Sequence, residues 1–332
     1  MKRPFAPVVR RAAALALALA ACTPTRQAVG PGYAPARIAN GRYVTADGAR
    51  LPLRVWRAAG RPRAVVLALH GMNDYSRQFE MPAASWSASG IAVYAYDQRG
   101  FGGGPLPGIW PGVALMVRDL RELARLLRAR HPGVPVYVLG ASMGGAVALA
   151  ALGGPNPPAF DGAILAAPAV WGRETMPPFY PEGLFMAAHS VPWLTISNST
   201  VRRKATDNIA ILRAMGRDPL VLKSTRVDTA YGMVNLMDAA LKAAPRLRVP
   251  ILVLYGEKDE IIRSKPTLAM LEGMPKARLR VALYAEGWHM LLRDKQRAVV
   301  FRDVASWITD RAAPLPSGAD RRDYRLLARK KP

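Results

Sequence analysis

The stretch Val136-Tyr137-Val138-Leu139-Gly140-Ala141-Ser142-Met143-Gly144 decides the fold. Its first four residues form an apolar run of β type. A small-residue run from Gly145 to Leu152 follows and can begin a tightly packed helix. Strand, G-x-S-x-G and helix in that order put a serine on a sharp turn between the two elements. The flanking glycines are a steric requirement. The turn strains the serine backbone, and bulkier neighbours would collide with the strand and the helix. Ser142 Oγ is then exposed at the top of a sheet, above a helix N-terminus. In a chain with 28 glycines the same five letters also describe a plain strand-to-helix turn, so the surrounding sequence has to decide.

Outward from this point the pattern alternates. Continuous apolar runs of strand length occur at Ala64–Leu69, Ile91–Tyr96, Val136–Leu139, Gly162–Ala167, Pro250–Tyr255 and Leu279–Tyr284. Continuous rather than alternating runs suit strands buried on both faces of a parallel sheet. Between them Val113–Arg130 carries Leu115, Met116, Leu120, Leu123, Leu126 and Leu127 at helical spacing, and His131-Pro132-Gly133 stops it. Ala298–Asp310 reads similarly. Strands alternating with helices predict an α/β fold with a mostly parallel central sheet flanked by helices. Gly41–Thr45 and Leu51–Trp56 read as an antiparallel edge hairpin.

One interval breaks this rhythm. From Ala169 to about Ala244 there is no sheet-type run. Pro177-Pro178-Phe179-Tyr180-Pro181 is followed by helical patches carrying Met186, Trp193, Leu194, Leu212, Met215, Met233 and Met237. An insertion of this length beside strand ends predicts a helical cap, most of whose apolar residues form its own small core.

An activated serine needs a base, and the base needs an orienting acid. The chain has four histidines. His70 ends a strand and reads as structural. His131 follows a helix on the surface, and His189 lies in the insertion as a weak competitor. His289, in Gly287-Trp288-His289-Met290-Leu291, follows the last strand and can reach a serine at the strand C-termini. The acid is expected between Ser142 and His289 at another strand end. Asp259 in Gly256-Glu257-Lys258-Asp259-Glu260 is the choice, with Glu257 and Glu260 as alternatives. Acyl transfer also needs donors for a developing oxyanion. The backbone N–H groups of Met143, after the serine, and of Met72, in the His70-Gly71 loop, are expected to supply them.

These pieces together resemble the monoacylglycerol lipase-like branch of the α/β-hydrolases, also called the serine aminopeptidase S33 or lysophospholipase-type family. The resemblance is carried by His70-Gly71 with Asn73-Asp74, Tyr96-Asp97-Gln98-Arg99-Gly100-Phe101-Gly102, Gly140-Ala141-Ser142-Met143-Gly144-Gly145, Asp218-Pro219-Leu220, Gly256-Glu257-Lys258-Asp259 and Gly287-Trp288-His289-Met290-Leu291. It implies an α/β-hydrolase fold with a cap inserted after the strand that follows the nucleophile helix. It implies a serine ester hydrolase working through an acyl-enzyme at Ser142, with no metal or organic cofactor. Its substrate would be a small lipid-like ester, a monoacylglycerol or lysophospholipid. It further implies that Asp97 and Arg99 fix their loop by an ion pair. Ala141 stands where relatives commonly carry His or Glu, and Phe101 with Gly103-Gly104 departs from their usual polar continuation. Both departures bear on substrate rather than triad. A peptidase, thioesterase or acyltransferase on the same triad is an alternative, as is a non-enzymatic envelope binding protein.

The ends add a location. Lys2, Arg3, Arg10 and Arg11 precede an apolar run from Ala12 to Ala21, well short of the ~20 residues of a spanning helix. Leu19-Ala20-Ala21-Cys22 resembles a bacterial lipoprotein lipobox, with lipidation expected at Cys22, the single cysteine. Acyl chains there would anchor the protein at a membrane surface. Thr23 rather than Asp after the cysteine favours the outer membrane, facing the periplasm. The expected organisation is a signal peptide at 1–21, a tether at 22–39, hydrolase core at 40–170 and 245–312, a cap at 171–244, and a basic tail at 313–332. The formal net charge of +24 is compatible with anionic lipid head groups or with a general arginine bias. No nucleic-acid-binding motif accompanies it, so no nucleic-acid partner is expected. Oligomeric state is not legible.

Overall fold

The computed structural model describes residues 23–32, 34–197 and 203–329. The signal segment expected at 1–21 and the lipidation site expected at Cys22 lie outside the described residues. The strands are β1 (Arg37–Ala39), β2 (Arg42–Val44), β3 (Arg50–Trp56), β4 (Ala64–Leu69), β5 (Ile91–Tyr96), β6 (Val136–Ala141), β7 (Gly162–Ala166), β8 (Thr195–Ser197), β9 (Ser224–Arg226), β10 (Ile251–Gly256) and β11 (Leu279–Tyr284). The helices are α1 (Glu80–Ala88), α2 (Val113–Arg130), α3 (Met143–Leu152), α4 (Tyr180–Ser190), α5 (Ile209–Arg217), α6 (Val227–Ala243), α7 (Ser264–Gly273) and α8 (Arg297–Thr309).

Nine strands form one sheet in the order β1-β2-β3-β5-β4-β6-β7-β10-β11. The pairings from β5 across to β11 are all parallel, and the three at the β1 end are antiparallel. Each of the six apolar runs is a strand of the parallel part. Their continuity has the expected cause, since β4 sends Val65, Leu67 and Leu69 to one buried cluster and Ala64, Val66 and Ala68 to the other. Helices α1 and α8 cover one face, where Trp86 packs edge-on against Phe301 and donates from Nε1 to its carbonyl at 3.0 Å. The opposite face carries α2, α3, α6 and α7. Every residue of α3 is buried, which explains its Gly- and Ala-rich composition: it lies between the sheet and neighbouring helices with no room for larger side chains.

Three regions carry details that the sequence patterns did not. The interval from 169 to 244 contains α4, α5 and α6, and also a two-stranded antiparallel pair, β8 with β9. Three residues per strand are too few to show a period, so no pattern announced them. The stretch read as a tether enters the sheet at Arg37, and before that Gln27 is buried, donating from its backbone to Trp110 O at 3.0 Å and from Nε2 to Ile109 O at 2.8 Å. The C-terminal segment packs back on the body through buried Leu315, Ala319 and Leu327. Among the described residues no helix is long and apolar enough to cross a membrane.

Candidate active site

The turn at Ser142 is as tight as its sequence demanded. Ser142 has φ +50° and ψ −114°, a strained conformation for a residue with a side chain. Its N–H donates to Ala166 O at 3.0 Å on β7, and its carbonyl accepts from Gly145 N at 2.9 Å and Ala169 N at 3.0 Å. These bonds hold the strained residue in place. A Cβ on Gly140 would strike the Gly144 carbonyl, and one on Gly144 would strike the Leu69 carbonyl on β4. Close approach of the backbones therefore fixes both glycines. Ser142 is half-buried between buried neighbours, at the first turn of α3.

Asp259 sits in the turn after β10 and His289 in the loop after β11. Asp259 Oδ1 accepts from the N–H groups of Ile261 at 2.8 Å and Ile262 at 2.9 Å. That leaves Oδ2 facing His289 Nδ1 at 2.8 Å. Nδ1–H donating to this carboxylate leaves Nε2 as the proton acceptor. Ser142 and His289 line the same cavity, of about 620 Å³, with Met72, Leu212, Met215, Val221 and Met233 among its apolar walls. The cap thus supplies Leu212 and Met215 from α5, whereas Met233 comes from α6, which packs on the sheet face against α3 as part of the core rather than of the cap expected at 171–244.

The other candidates are engaged elsewhere. His189, on α4, stacks on Phe185 at 4.1 Å between ring centroids and approaches Tyr231. His131 Nε2 lies 2.9 Å from the Tyr94 hydroxyl. Glu257 pairs with Arg322 at 2.6 Å, and Glu260 accepts from Lys204 N at 2.8 Å. His70 is fully buried, with Nδ1 2.8 Å from Gly71 O and Nε2 accepting from Gln98 N at 2.9 Å. Burial lowers its pKa, keeping the ring neutral.

The loop after β4 approaches the serine from the other side. A Cβ on Gly71 would lie 3.5 Å from Ser142 Cβ, so Met72 follows directly at the site. Gly71 donates from N to Gln78 Oε1 at 2.8 Å, and the left-handed residue of the loop is Asn73, at φ +63°, rather than Gly71. Among the described residues neither Met72 N–H nor Met143 N–H has a hydrogen-bond acceptor in the protein.

The expected Asp97–Arg99 ion pair is replaced by a different arrangement. Arg99 pairs with Asp47 at 2.6 Å and with Asp119 at 2.7 Å, all three buried. Asp97 instead accepts from Ser76 N at 3.0 Å and Gly103 N at 2.9 Å. The two side chains leave the turn in different directions, and Arg99 finds its carboxylates on the β2–β3 turn and on α2. For Asp119 burial outweighs the neighbouring guanidinium and raises its pKa to about 6.

Several site-forming residues gave no sequence signal. Asp294, fully buried, accepts from Thr206 Oγ1 at 2.6 Å and from Trp288 N at 2.7 Å. Met290 N donates to Ala205 O at 2.9 Å, and Asn208 Nδ2 donates to Arg293 O at 2.9 Å. The cap segment 205–208 therefore clasps both sides of His289. Arg293 Nη1 also pairs with Asp74 Oδ2 at 2.8 Å, joining the His289 loop to the Met72 loop. These partners are far apart in sequence, and no local motif relates them.

A family model described as serine aminopeptidase, S33, matches residues 60–296. The chain belongs to this family. The S33 match takes in Ser142, Asp259 and His289 together with the whole cap. Among known relatives, the monoacylglycerol lipase of Mycolicibacterium smegmatis is 26% identical, with 80% of this chain and 95% of that protein aligned. The monoglyceride lipase of Homo sapiens is also 26% identical, over 81% of this chain and 90% of its own length. Two solved structures share the fold: a Paleococcus ferrophilus monoacylglycerol lipase and a soluble variant of Saccharomyces cerevisiae monoglyceride lipase in complex with a substrate analog. The first superposes with a TM-score of 0.66 at 21% identity, covering 78% of this chain and 98% of its own. The second gives a TM-score of 0.69 at 22% identity, covering 86% and 99%. This S33 member is a monoacylglycerol lipase-like α/β-hydrolase, a serine ester hydrolase by class.

Proposed function

We propose that the protein hydrolyses single-chain glycerol esters, such as a monoacylglycerol or a lysophospholipid, through an acyl-enzyme at Ser142. The observation that carries this reading is one cavity lined by Ser142, His289 and apolar cap residues, with Asp259 bonded to the far side of the imidazole. His289 Nε2 takes the Ser142 proton as Oγ attacks the ester carbonyl. Asp259 holds the ring and stabilises the imidazolium. The N–H groups of Met72 and Met143 stabilise the oxyanion, aided by the positive end of α3. His289 then protonates the leaving alcohol and activates water to release the acid. Size supports the assignment, since a cavity of about 620 Å³ suits one acyl chain better than several.

A fluorophosphonate probe is expected to label the wild type and not Ser142→Ala, with hydrolysis of monoacylglycerol falling by on the order of 10⁴ or more. Labelling that persists in Ser142→Ala would overturn the assignment, and cleavage of aminoacyl amides but not esters would replace the lipase reading with a peptidase.

The proposal extends to location, with a lipidated Cys22 holding the enzyme on the periplasmic face of a bacterial outer membrane. Its support is the lipobox-like sequence together with the cap surface, where Phe179, Met186, Trp193 and Leu194 are 84%, 62%, 56% and 53% exposed. Apolar side chains this exposed on a basic protein suit contact with anionic lipid.

A further inference from the structure

A second cavity, of about 1090 Å³, lies beside the first. Trp171 and Arg203 line both, so the two share a wall. Asp259 and Trp288 also line the second cavity, which brings it against the His289 loop. Its chemistry is different. Arg203, Lys258, Arg263 and Lys265 line it together with Glu257, Asp259 and Glu260.

Each of these acids already has a partner: Arg322 for Glu257, His289 for Asp259 and the Lys204 N–H for Glu260. Lys258 is matched by Glu286. Among the described residues no carboxylate pairs with Arg203, Arg263 or Lys265. The guanidiniums of Arg203 and Arg263 lie 5.8 Å and 6.0 Å from the centroid of the same Trp171 ring. One indole thus gathers two guanidiniums without a carboxylate ion pair among the described residues, and Arg203 Nη1 donates to the Glu260 carbonyl at 3.3 Å. Ser264, Lys265 and Pro266, the first turn of α7, line the same cavity and add the positive end of a helix. Planar guanidiniums beside a helix N-terminus suit phosphate oxygens.

We propose that this cavity is an anion subsite, taking the phosphate of a monoacylated glycerol phosphate whose ester carbonyl lies at Ser142. The assignment rests on the hydrolase reading above. In the step it serves, the Ser142 Oγ–acyl bond forms and the acyl–glycerol C–O bond breaks. His289 passes its proton to the departing glycerol oxygen. The phosphate ester stays intact, and water later releases the fatty acid.

Ser142→Ala protein, titrated calorimetrically with glycerol 3-phosphate and with inorganic phosphate, reads the subsite without turnover. Glycerol 3-phosphate is expected to bind, and Arg263→Gln/Lys265→Gln on the same background to weaken it by about tenfold. Absence of binding overturns the subsite. Inorganic phosphate binding as tightly as glycerol 3-phosphate would assign the cavity to the free ion and overturn the substrate role. In the otherwise wild-type enzyme the double variant is expected to raise KM for 1-acylglycerol 3-phosphate by about tenfold, with KM for neutral 1-monoacylglycerol within about twofold. Equal losses on both substrates would make the two residues structural and sink the proposal. Binding of glycerol 3-phosphate by a protein that cleaves neither ester would sink the hydrolase reading and leave the subsite standing.

Discussion

At the scale of single residues the site is held by close approach and by buried hydrogen bonds of fixed direction. Gly144→Ala would push a methyl group into the Leu69 carbonyl on β4. Overpacking of this kind costs about 1–3 kcal/mol, so a lowered urea midpoint and loss of probe labelling are expected together. His70 gives a pH dependence whose sign follows from its two bonds. Nε2 accepts from Gln98 N, so protonating it would set two N–H groups against each other. Its folded pKa lies below the ordinary value of 6.5, with burial the main cause. The unfolded chain therefore takes up the proton first as pH falls. The stabilisation from neutral His70 is present above pH 6.5 and lost on acidification below it. His70→Gln is expected to melt lower at neutral pH but with a flatter Tm profile below pH 6.5; an equally steep profile would assign the acid sensitivity to other groups.

Between elements, what could be read from sequence divides along a physical line. The parallel strands were legible because each is buried on both faces, so continuous apolar runs such as Ile91–Tyr96 and Ile251–Tyr255 mark them without help from the partner. Val113–Arg130 was legible because one face packs and the other is solvated. The placement of Ser142, Asp259 and His289 followed from strand ends, which local sequence already fixes. The clasp of Thr206 on Asp294 and the pairing of Arg99 with Asp47 and Asp119 were not legible, because contacts between distant segments leave no period. The clasp itself can be tested. Asp294→Asn keeps the shape but weakens two hydrogen bonds to a carboxylate, one buried and one partly buried, each worth about 1.5–3 kcal/mol. A Tm lowered by several degrees and faster amide exchange at Met290 are expected, with kcat falling more than KM rises. Unchanged exchange at Met290 would show that 205–208 does not hold the loop.

For the molecule as a whole the informative feature is an apolar cap surface on a chain of net charge +24. Replacing Trp193 and Leu194 by serine is expected to reduce binding of unlipidated protein to anionic vesicles while leaving hydrolysis of a short, soluble ester within about twofold. Unaltered vesicle binding would remove the cap from the membrane contact. Full-length protein expressed in a bacterium is expected to leave the membrane fraction on Cys22→Ser, and unchanged fractionation would argue against lipidation. The clasp around His289 also bears on how this fold can be recombined. Because 205–208 is bonded to 288–294, the cap is not a cassette with clean boundaries at its two junctions with the core. A chimera that imports a relative's cap would have to import the matching His289 loop with it. Crossover points that separate the two segments would assemble a folded core around a misplaced base.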